Sequence, residues 1–486
     1  MKRIILIVIM ILSARVFALY PPAKNEIEEL RSNGALEHQI ERARMYGNNK
    51  VKPALAARTL SRLESLFQVS SESMDGRNNT PLPAWQGMPT TGTNKILVFL
   101  IEFPDKANIS SYASVTNQLF GEGELSNYPR ESLQKYYWRS SYGKLLIEGS
   151  ALGWYMMQHD RNWYTNTYGD GNYANYQIIK EVAEHYDPTH DYTQYDNDGD
   201  GNIDYFAVIW TGEHGAWASF WWGYQWSLYN NNLTLDGKRF YDFSWQWESY
   251  NYPSGSFTPF VIIHETGHAL GLPDYYDYNG SVGPDGGVGG LDMMANGYGD
   301  HNCFSKFMLD WLQPTNVVTA LLDYNLHATA EEPEAVIVMP SIDNSTPYKE
   351  YFMVQNRYRI LNDTNFPGDG LLIWHIDATP NSSGNNFEYD NSYTEHKLLR
   401  LMEADGLEEI ENGGWANAGD YYNSGETFGP YSTPNSYNYS GSNTMVSVSD
   451  ISANGVSMTA DIEILPEPSS FILLFIFIMS FYEKVT

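Results

Sequence analysis

The sequence HETGHALGLPDYYD, residues 264–277, brings imidazole and carboxylate side chains together at spacings that suit a metal ion. His264 and His268 are four residues apart, so a helix places both imidazoles on one face, one turn from each other. Two histidine nitrogens at this spacing form a common zinc-binding pair. Glu265 is placed to take a proton from a water that the zinc holds, rather than to bind the metal itself. The pattern predicts a zinc ion that activates water.

A carboxylate after the helix completes the predicted zinc ligands. Gly271 can adopt the left-handed backbone conformation that ends a helix, after which the chain can turn back toward the metal. Asp274 follows three residues later, and a carboxylate oxygen is a good zinc ligand. Asp277 is the alternative third ligand, although the spacing favours Asp274. Two histidines and one aspartate leave one coordination position for water, as in catalytic zinc sites.

A methionine and a tyrosine follow the predicted zinc helix. HExxHxxGxxD is the metzincin pattern with Asp in place of the third His, and that pattern is accompanied by a methionine turn beneath the metal. The sequence GGVGGLDMMANGYG, residues 286–299, supplies such a turn. Met294 is predicted to be the turn methionine and Met293 a core residue. Tyr298 is a candidate catalytic residue that would polarise a substrate carbonyl; an ordinary packed aromatic is the alternative.

A second candidate metal site is the acidic loop DNDGDGNID, residues 196–204. Its alternating oxygen-bearing side chains and its glycine match the first nine positions of a calcium loop. The predicted ligands are Asp196, Asp198, Asp200, Asp204 and the backbone carbonyl of Asn202. Position twelve is Ala207, where an EF-hand needs a bidentate Glu, so we expect a structural Ca²⁺ without an EF-hand. A solvated acidic turn is the alternative.

Composition limits the partners and the redox chemistry of the chain. Its 486 residues contain 59 Asp plus Glu against 29 Lys plus Arg, a formal net charge of -30. Such a charge repels a phosphate backbone, so nucleic acid is not expected as a partner. Cys303 is the only cysteine, which excludes an intrachain disulfide. Core packing and metal ions must therefore stabilise the fold, and we expect a monomer.

The order of patterns along the chain predicts five regions. Residues 1–18 read as a secretory signal peptide, and residues 19–93 as a polar, helix-prone segment followed by an exposed linker. Residues 94–316 are predicted to form an α+β domain with both metal sites. Residues 317–465 have alternating apolar runs separated by turn residues, which predicts a β-rich domain. Residues 466–486 begin with Pro-Glu-Pro and continue into an apolar run that is short for a stable membrane span.

These motifs together resemble the immune inhibitor A family of secreted bacterial metallopeptidases. The resemblance covers about residues 94–377 and includes ILVFLIEFPD, YYWRSSYGKLLIEGSALGWY, the acidic loop, the HETGHALGLPDYYD segment, LDMM and EYFMVQNRYRILNDTNFPGDGLLIWHID. It implies a broad-specificity zinc endopeptidase that is made as a precursor, with residues 19–93 as the propeptide. The sequence departs from the family at Leu291, where an aromatic is usual, and at Gln355, where Glu is usual.

The C-terminal segment resembles the PEP-CTERM sorting signal of Gram-negative envelope proteins, which a membrane enzyme removes. Its basic tail is weak, with one lysine, Lys484, beside Glu483. Together with the signal peptide, the resemblance implies an exported protein that is secreted or held at the cell-envelope surface. It also implies transient membrane insertion of this segment during processing. A terminal strand packed into the core is the alternative.

The sequence therefore predicts a secreted zinc endopeptidase that acts on proteins or peptides. The predicted fold class is α+β, a metzincin-like peptidase domain followed by the β-rich domain. The alternative is a surface-attached binding protein with a structural metal, in which the aromatic run WASFWWGYQWSL at residues 217–228 or the β-rich region binds polysaccharide. A structural zinc has four protein ligands, whereas the predicted set has three.

Overall fold

A computed structural model describes most of the chain. The described residues are 24–66, 87–126, 128–278, 286–296, 299–317, 319–340, 349–392 and 396–466. The predicted signal peptide, the C-terminal segment after residue 466 and Tyr298 lie outside these residues. Helices and sheets are mixed, which is compatible with the expected α+β class. Within the described ranges, no helix has both the length and the apolar character needed to cross a bilayer.

The described residues contain ten α-helices. They are α1 (Lys24–Ser32), α2 (Leu36–Tyr46), α3 (Pro53–Leu66), α4 (Tyr112–Phe120), α5 (Leu133–Ser140), α6 (Arg161–Tyr168), α7 (Asn172–Tyr186), α8 (Phe260–Ala269), α9 (Met293–Asn296) and α10 (Cys303–Met308). Helix α8 differs from the surface helices because each of its ten residues is buried. A helix that is covered on all sides lies inside the protein, so the predicted zinc helix is part of the core.

Sixteen strands are present in the same ranges. They are β1 (Gly92–Glu102), β2 (Leu145–Met156), β3 (Asn202–Ile203), β4 (Phe206–Trp210), β5 (Tyr224–Ser227), β6 (Leu233–Leu235), β7 (Lys238–Phe240), β8 (Asp242–Trp247), β9 (Thr315–Val317), β10 (Ala320–His327), β11 (Val336–Val338), β12 (Glu350–Arg357), β13 (Gly370–Asp377), β14 (Leu399–Leu401), β15 (Val446–Ser449) and β16 (Ser457–Ile464).

The main sheet has the strand order β2-β1-β4-β8-β5. Its first four strands are parallel, and β5 pairs with β8 in the antiparallel direction at the edge. The interior strand β1 is buried from Ile96 to Ile101, as expected for a parallel strand that is covered on both faces. Helix α8 packs against β8 and β5, so the predicted zinc ligands lie beside the antiparallel edge of the sheet.

The second half of the chain forms two further sheets. One has the order β14-β13-β12-β11-β9, and the other has the order β10-β16-β15. Side chains alternate across β12: Phe352 and Val354 face the core shared with the three-stranded sheet, whereas Met353 faces the core that contains α8. The expected boundary at residue 316 falls inside β9, which pairs with β11. The β-rich region therefore packs directly on the core that contains the zinc helix.

The first three helices pack on the rest of the protein. Leu55 and Leu63 of α3 are fully buried in the same hydrophobic core as α8. Leu36 and Ile40 of α2 are buried in a second core, which is rich in aromatic residues of the main sheet. Residues 24–66, the described helical part of the segment predicted to be a propeptide, are therefore folded and continuous with the core.

Candidate metal centre

Helix α8 contains the two candidate histidine ligands and ends just after the second one, and the chain then turns back toward them. The helix ends at Ala269, and Gly271 has φ +105°, a conformation that favours glycine. The amide N–H of Leu272 donates to the carbonyl of Gly267 at 3.0 Å and closes the turn. Asp274 follows and returns to the face of α8 that holds the histidines.

The structure brings His264, His268 and Asp274 together. The two Nε2 atoms are 3.2 Å apart, and Asp274 Oδ1 lies 3.0 Å from His264 Nε2 and 3.3 Å from His268 Nε2. Zinc bonds of ~2.0–2.2 Å in a tetrahedral site separate ligand atoms by roughly 3.3–3.5 Å. The three donor atoms therefore fit one zinc ion with little adjustment. Asp277 is also buried but is not part of this group.

Backbone carbonyls orient both imidazole rings. His264 Nδ1 lies 2.9 Å from the carbonyl oxygen of Met293, and His268 Nδ1 lies 2.8 Å from that of Leu272. These contacts assign the single N–H of each neutral ring to Nδ1. Both Nε2 lone pairs then point toward each other and toward Asp274 Oδ1, an arrangement that needs a cation between them.

A tyrosine that the sequence analysis did not identify supports the third ligand. The Tyr278 hydroxyl donates to Asp274 Oδ2 at 2.5 Å, while Oδ1 of the same carboxylate faces the histidines. Such a partner fixes the orientation of a metal-binding carboxylate. The spacing between Asp274 and Tyr278 did not predict this hydrogen bond, because the contact depends on an irregular turn rather than on a helix.

The charges at the site favour ionised aspartate and neutral histidine. Burial opposes ionisation of Asp274, but attraction to His268 and His264, whenever either ring is protonated, holds the pKa of this carboxyl well below its usual range. Burial lowers the pKa of His264, and the attraction of Asp274 offsets this only in part. A carboxylate with neutral imidazoles is the protonation state that zinc requires.

Glu265 lies beside the donor atoms but is not one of them. Its side chain is 0% exposed, and neither carboxylate oxygen makes a hydrogen bond of ordinary geometry to a described residue. Burial, followed by the charge of Asp274, raises the pKa of Glu265 well above its usual range, and the backbone amide of Gln225 in β5 opposes this rise. A raised pKa moves a carboxyl toward the range in which it can both accept and release a proton.

The methionine turn lies beneath α8. A Cβ on Gly267 would collide with Sδ of Met294, so the side chain of this methionine packs against the helix at Gly267, the residue before His268. The backbone N–H of Met294 donates to Asp292 Oδ1 at 2.7 Å. Tyr298, the predicted catalytic tyrosine, is outside the described residues, and its role stays a prediction.

The acidic loop at residues 196–204 gathers four of its five predicted ligands. One carboxylate oxygen from each of Asp196, Asp198, Asp200 and Asp204 lies within 4.8 Å of the others. Oδ1 of Asp196 and Oδ1 of Asp204 are buried without a hydrogen-bond partner among the described residues. The fifth predicted residue, Asn202, lies in β3, and its side-chain amide donates to Asp200 at 2.9 Å.

Three features of this loop and its surroundings bear on a bound cation. Lys238 forms an ion pair with Asp196 Oδ2 and neutralises one of the four carboxylates. Burial, together with the charges of Asp198 and Asp196, raises the pKa of Asp204 to about 7. A cavity of about 300 Å³, which Asp200 and Asp204 help to line, lies beside the loop. The loop therefore retains an excess of negative charge next to open space.

The N-terminal segment covers the predicted zinc site. The carbonyl of Asn48 accepts a hydrogen bond from the amide of Asp274 at 2.7 Å, and the amide of Lys52 donates to Gly271 at 2.9 Å. Tyr46 stacks on Tyr224 of the edge strand β5 with ring centroids 4.5 Å apart. In this form the two histidines, Glu265 and Asp274 are each at most 2% exposed. The four side chains are therefore shielded from solvent in this form.

Comparisons with known proteins identify no relative. A scan against protein-family models finds no match, and a search of curated proteins finds none either.

Proposed function

We propose that this protein is a secreted zinc-dependent endopeptidase that hydrolyses peptide bonds in proteins. The observation that carries the proposal is the convergence of His264 Nε2, His268 Nε2 and Asp274 Oδ1 within 3.3 Å of one another. The buried carboxyl of Glu265 lies beside them. Three protein donors leave a coordination position for solvent, as catalytic zinc sites do.

The chain's own residues suit the proton transfers of hydrolysis. When bound, zinc lowers the pKa of a coordinated water and polarises a carbonyl. Glu265 accepts the proton of the attacking water and later donates it to the leaving amine nitrogen. The carbonyls of Met293 and Leu272 hold the two imidazoles in place, so the histidines need not reorganise during the reaction.

The edge of the main sheet suits an extended peptide as substrate. Among the described strands, β5 pairs only with β8, and α8 packs against both of these strands. Extended peptides add to such edges through main-chain hydrogen bonds, which do not depend on side-chain identity. This geometry supports broad specificity. The N-terminal segment now packs against the same strand through Tyr46.

The N-terminal segment supports a latent precursor as the form made in the cell. Its contacts reach Asp274 through Asn48, β5 through Tyr46, and the β-rich region through Asn49, which donates to Asp390 at 2.8 Å. One segment thereby bridges both sides of the site. The end of the predicted linker belongs to the fold instead, because Met88 and Thr90 are buried and β1 begins at Gly92. Cleavage in the linker before residue 87 would free the C-terminal end of the segment, so we assign residues 19–86, rather than 19–93, as propeptide and linker.

The finer assignments follow from the same proposal. The metzincin-like character of residues 94–316 and membership of the immune inhibitor A family are supported by the HExxHxxGxxD motif and by the position of Met294 under α8. Export through residues 1–18, processing at residues 466–486 and action as a monomer at the cell envelope or beyond it stay predictions. A structural Ca²⁺ in the 196–204 loop is supported by its four convergent carboxylates.

The alternative function, binding of polysaccharide around a structural metal, has less support. The aromatic run at residues 217–228 is largely internal: Trp217, Phe220, Trp222 and Trp226 are each at most 8% exposed. Buried rings cannot stack on a sugar. The three-donor metal group and the buried, otherwise unused carboxyl of Glu265 also favour the peptidase.

Removal and return of zinc test the proposed function. The form freed of its N-terminal segment is expected to cleave casein, to lose this activity with a zinc chelator and to regain it with zinc, because the metal is required for water activation. Activity is measured with calcium held at millimolar concentration, so that loss of calcium does not unfold the chain. Undiminished cleavage by metal-free protein would refute a zinc peptidase.

A further inference from the structure

A second group of clustered carboxylates lies in the long loop after β14, far in sequence from the acidic loop at residues 196–204. Each member offers one oxygen, and these oxygens lie within 4.8 Å of one another. The four residues, which we name the 403–420 cluster, are Glu403, Asp405, Glu409 and Asp420. The first and the last are seventeen positions apart in the sequence, so only the fold brings them together.

Nearby cations do not neutralise the cluster. Arg400 pairs with Glu408 and with Glu411, and Lys397 pairs with Glu411. Among the described residues, no ion pair involves a member of the 403–420 cluster. Like charges at this separation repel one another and favour a compensating cation.

Asn417 donates a hydrogen bond to one oxygen of each of two carboxylates in the cluster, those of Asp420 and Glu409. Its backbone N–H donates to Asp420 Oδ2 at 2.6 Å, and its side-chain amide donates to Glu409 Oε1 at 3.1 Å. The remaining oxygens, Asp420 Oδ1 and Glu409 Oε2, are buried and have no hydrogen-bond partner in the described part of the chain. Asp420 is 0% exposed. A buried, unpartnered carboxylate oxygen is costly unless a ligand satisfies it.

The loop backbone fixes the other two carboxylates. Glu403 Oε2 accepts from the amide of Glu409 at 2.8 Å, and Asp405 Oδ1 accepts from the amide of Leu407 at 3.0 Å. Burial, followed by the charge of Asp420, raises the pKa of Glu403 to about 8. Hydrogen bonds from the loop backbone therefore hold these two carboxylates in the cluster, although the like charges repel one another.

We propose that the 403–420 cluster is a second calcium site. All four donors are carboxylate oxygens, which Ca²⁺ prefers, and Ca²⁺ tolerates the irregular geometry that a loop provides. The cluster contains no histidine or cysteine, the ligands typical of structural zinc. Backbone carbonyls of the loop and water would complete the six to eight oxygens that Ca²⁺ takes.

The position of the cluster links it to the zinc helix. The loop places Ile410 against Gly289, and the amide of Ala416 donates to the carbonyl of Gly289 at 3.0 Å. Gly289 belongs to the turn that leads to Met293, whose carbonyl orients His264. Calcium in the cluster would therefore brace the turn that supports a zinc ligand.

The test is the calcium content of the full-length chain after equilibrium dialysis, together with its Tm in calcium and in chelator. Asp420→Asn and Asp405→Asn are each expected to lose one calcium ion per chain relative to the wild type. Asp198→Asn reports separately on the 196–204 loop, and the double variant Asp198→Asn/Asp420→Asn is expected to lose both contributions. Glu388→Gln removes an exposed carboxylate elsewhere and is the matched control.

The Tm distinguishes a calcium site from a strained acidic cluster. With calcium at the site, Asp420→Asn lowers Tm by about 5 °C in millimolar calcium and does not lower it in chelator. Without a site, removal of a repelling charge leaves Tm equal or higher in both buffers, and the calcium content of Asp420→Asn and Asp405→Asn equals that of the wild type; that result would overturn the proposal. Asp405 is exposed, so Asp405→Asn gives an answer even if Asp420→Asn folds poorly. Neither measurement depends on peptidase activity.

Discussion

Replacement of Glu265 by Gln is expected to lower kcat for peptide hydrolysis about 10²–10⁴-fold in the processed protein, the usual contribution of a general acid–base. Gln has the shape of Glu but cannot accept and return a proton. Because Glu265 does not take part in the donor group of His264, His268 and Asp274, the variant should keep its zinc. The measurement pairs steady-state kinetics on a casein-derived peptide with zinc content.

The control for this variant is Glu148→Gln, which changes an exposed glutamate on β2 in the same way. Its kcat and zinc content should match those of the wild type. Two outcomes would contradict the assigned role of Glu265. One is wild-type turnover in the Glu265→Gln variant, and the other is loss of zinc together with activity, which would make Glu265 a ligand instead of a proton carrier.

Removal of the N-terminal segment is expected to raise kcat/KM for a peptide substrate about 100-fold, the factor that applies if the open form is populated at roughly 1% in the intact chain. The donor residues are buried while Asn48 and Tyr46 are in place. A cleavage site for a sequence-specific protease in the linker at residues 70–86 allows this removal. Leu55 and Leu63 hold α3 in the core, so the cut segment should stay bound and activity should appear only as it dissociates. Kinetics before and after separation of the two pieces measure the effect.

Add-back of the separated segment provides the control. A peptide of residues 19–66 should inhibit the processed form, whereas the same peptide with Tyr46→Ala, which loses the stacking on Tyr224, should inhibit less. The same cut in a Glu265→Gln chain should yield no activity, which excludes the added protease as its source. Equal activity of the intact and the processed chain would show that the segment is not inhibitory.

The meeting of His264, His268 and Asp274 could be predicted from the sequence because each step is local. A four-residue spacing on a helix fixes the two imidazoles, and a glycine at φ +105° reverses the chain within three residues of Asp274. The convergence of the 196–204 carboxylates was predictable for the same reason, since nine consecutive residues can form a loop without help from the rest of the fold.

The remaining features depend on contacts between distant segments. Asn48 reaches Asp274 across more than two hundred residues of sequence, and the 403–420 cluster assembles from a loop with no regular period. The strand order of the five-stranded main sheet, with its one antiparallel edge strand, could likewise not be predicted from local sequence patterns. The sequence feature that could have indicated the 403–420 cluster is the density of acidic residues after β14. This density does not by itself distinguish a metal site from a solvated loop.

The central claim is that one zinc ion is bound by two imidazoles and one aspartate, with a position left for solvent. Anomalous diffraction at the zinc edge from crystals of the processed protein tests it most directly. We predict one zinc peak within ~2.0–2.2 Å of His264 Nε2, His268 Nε2 and Asp274 Oδ1, with water as the fourth ligand. A peak away from these atoms, no peak, or a fourth position filled by a protein side chain would contradict the proposed hydrolase.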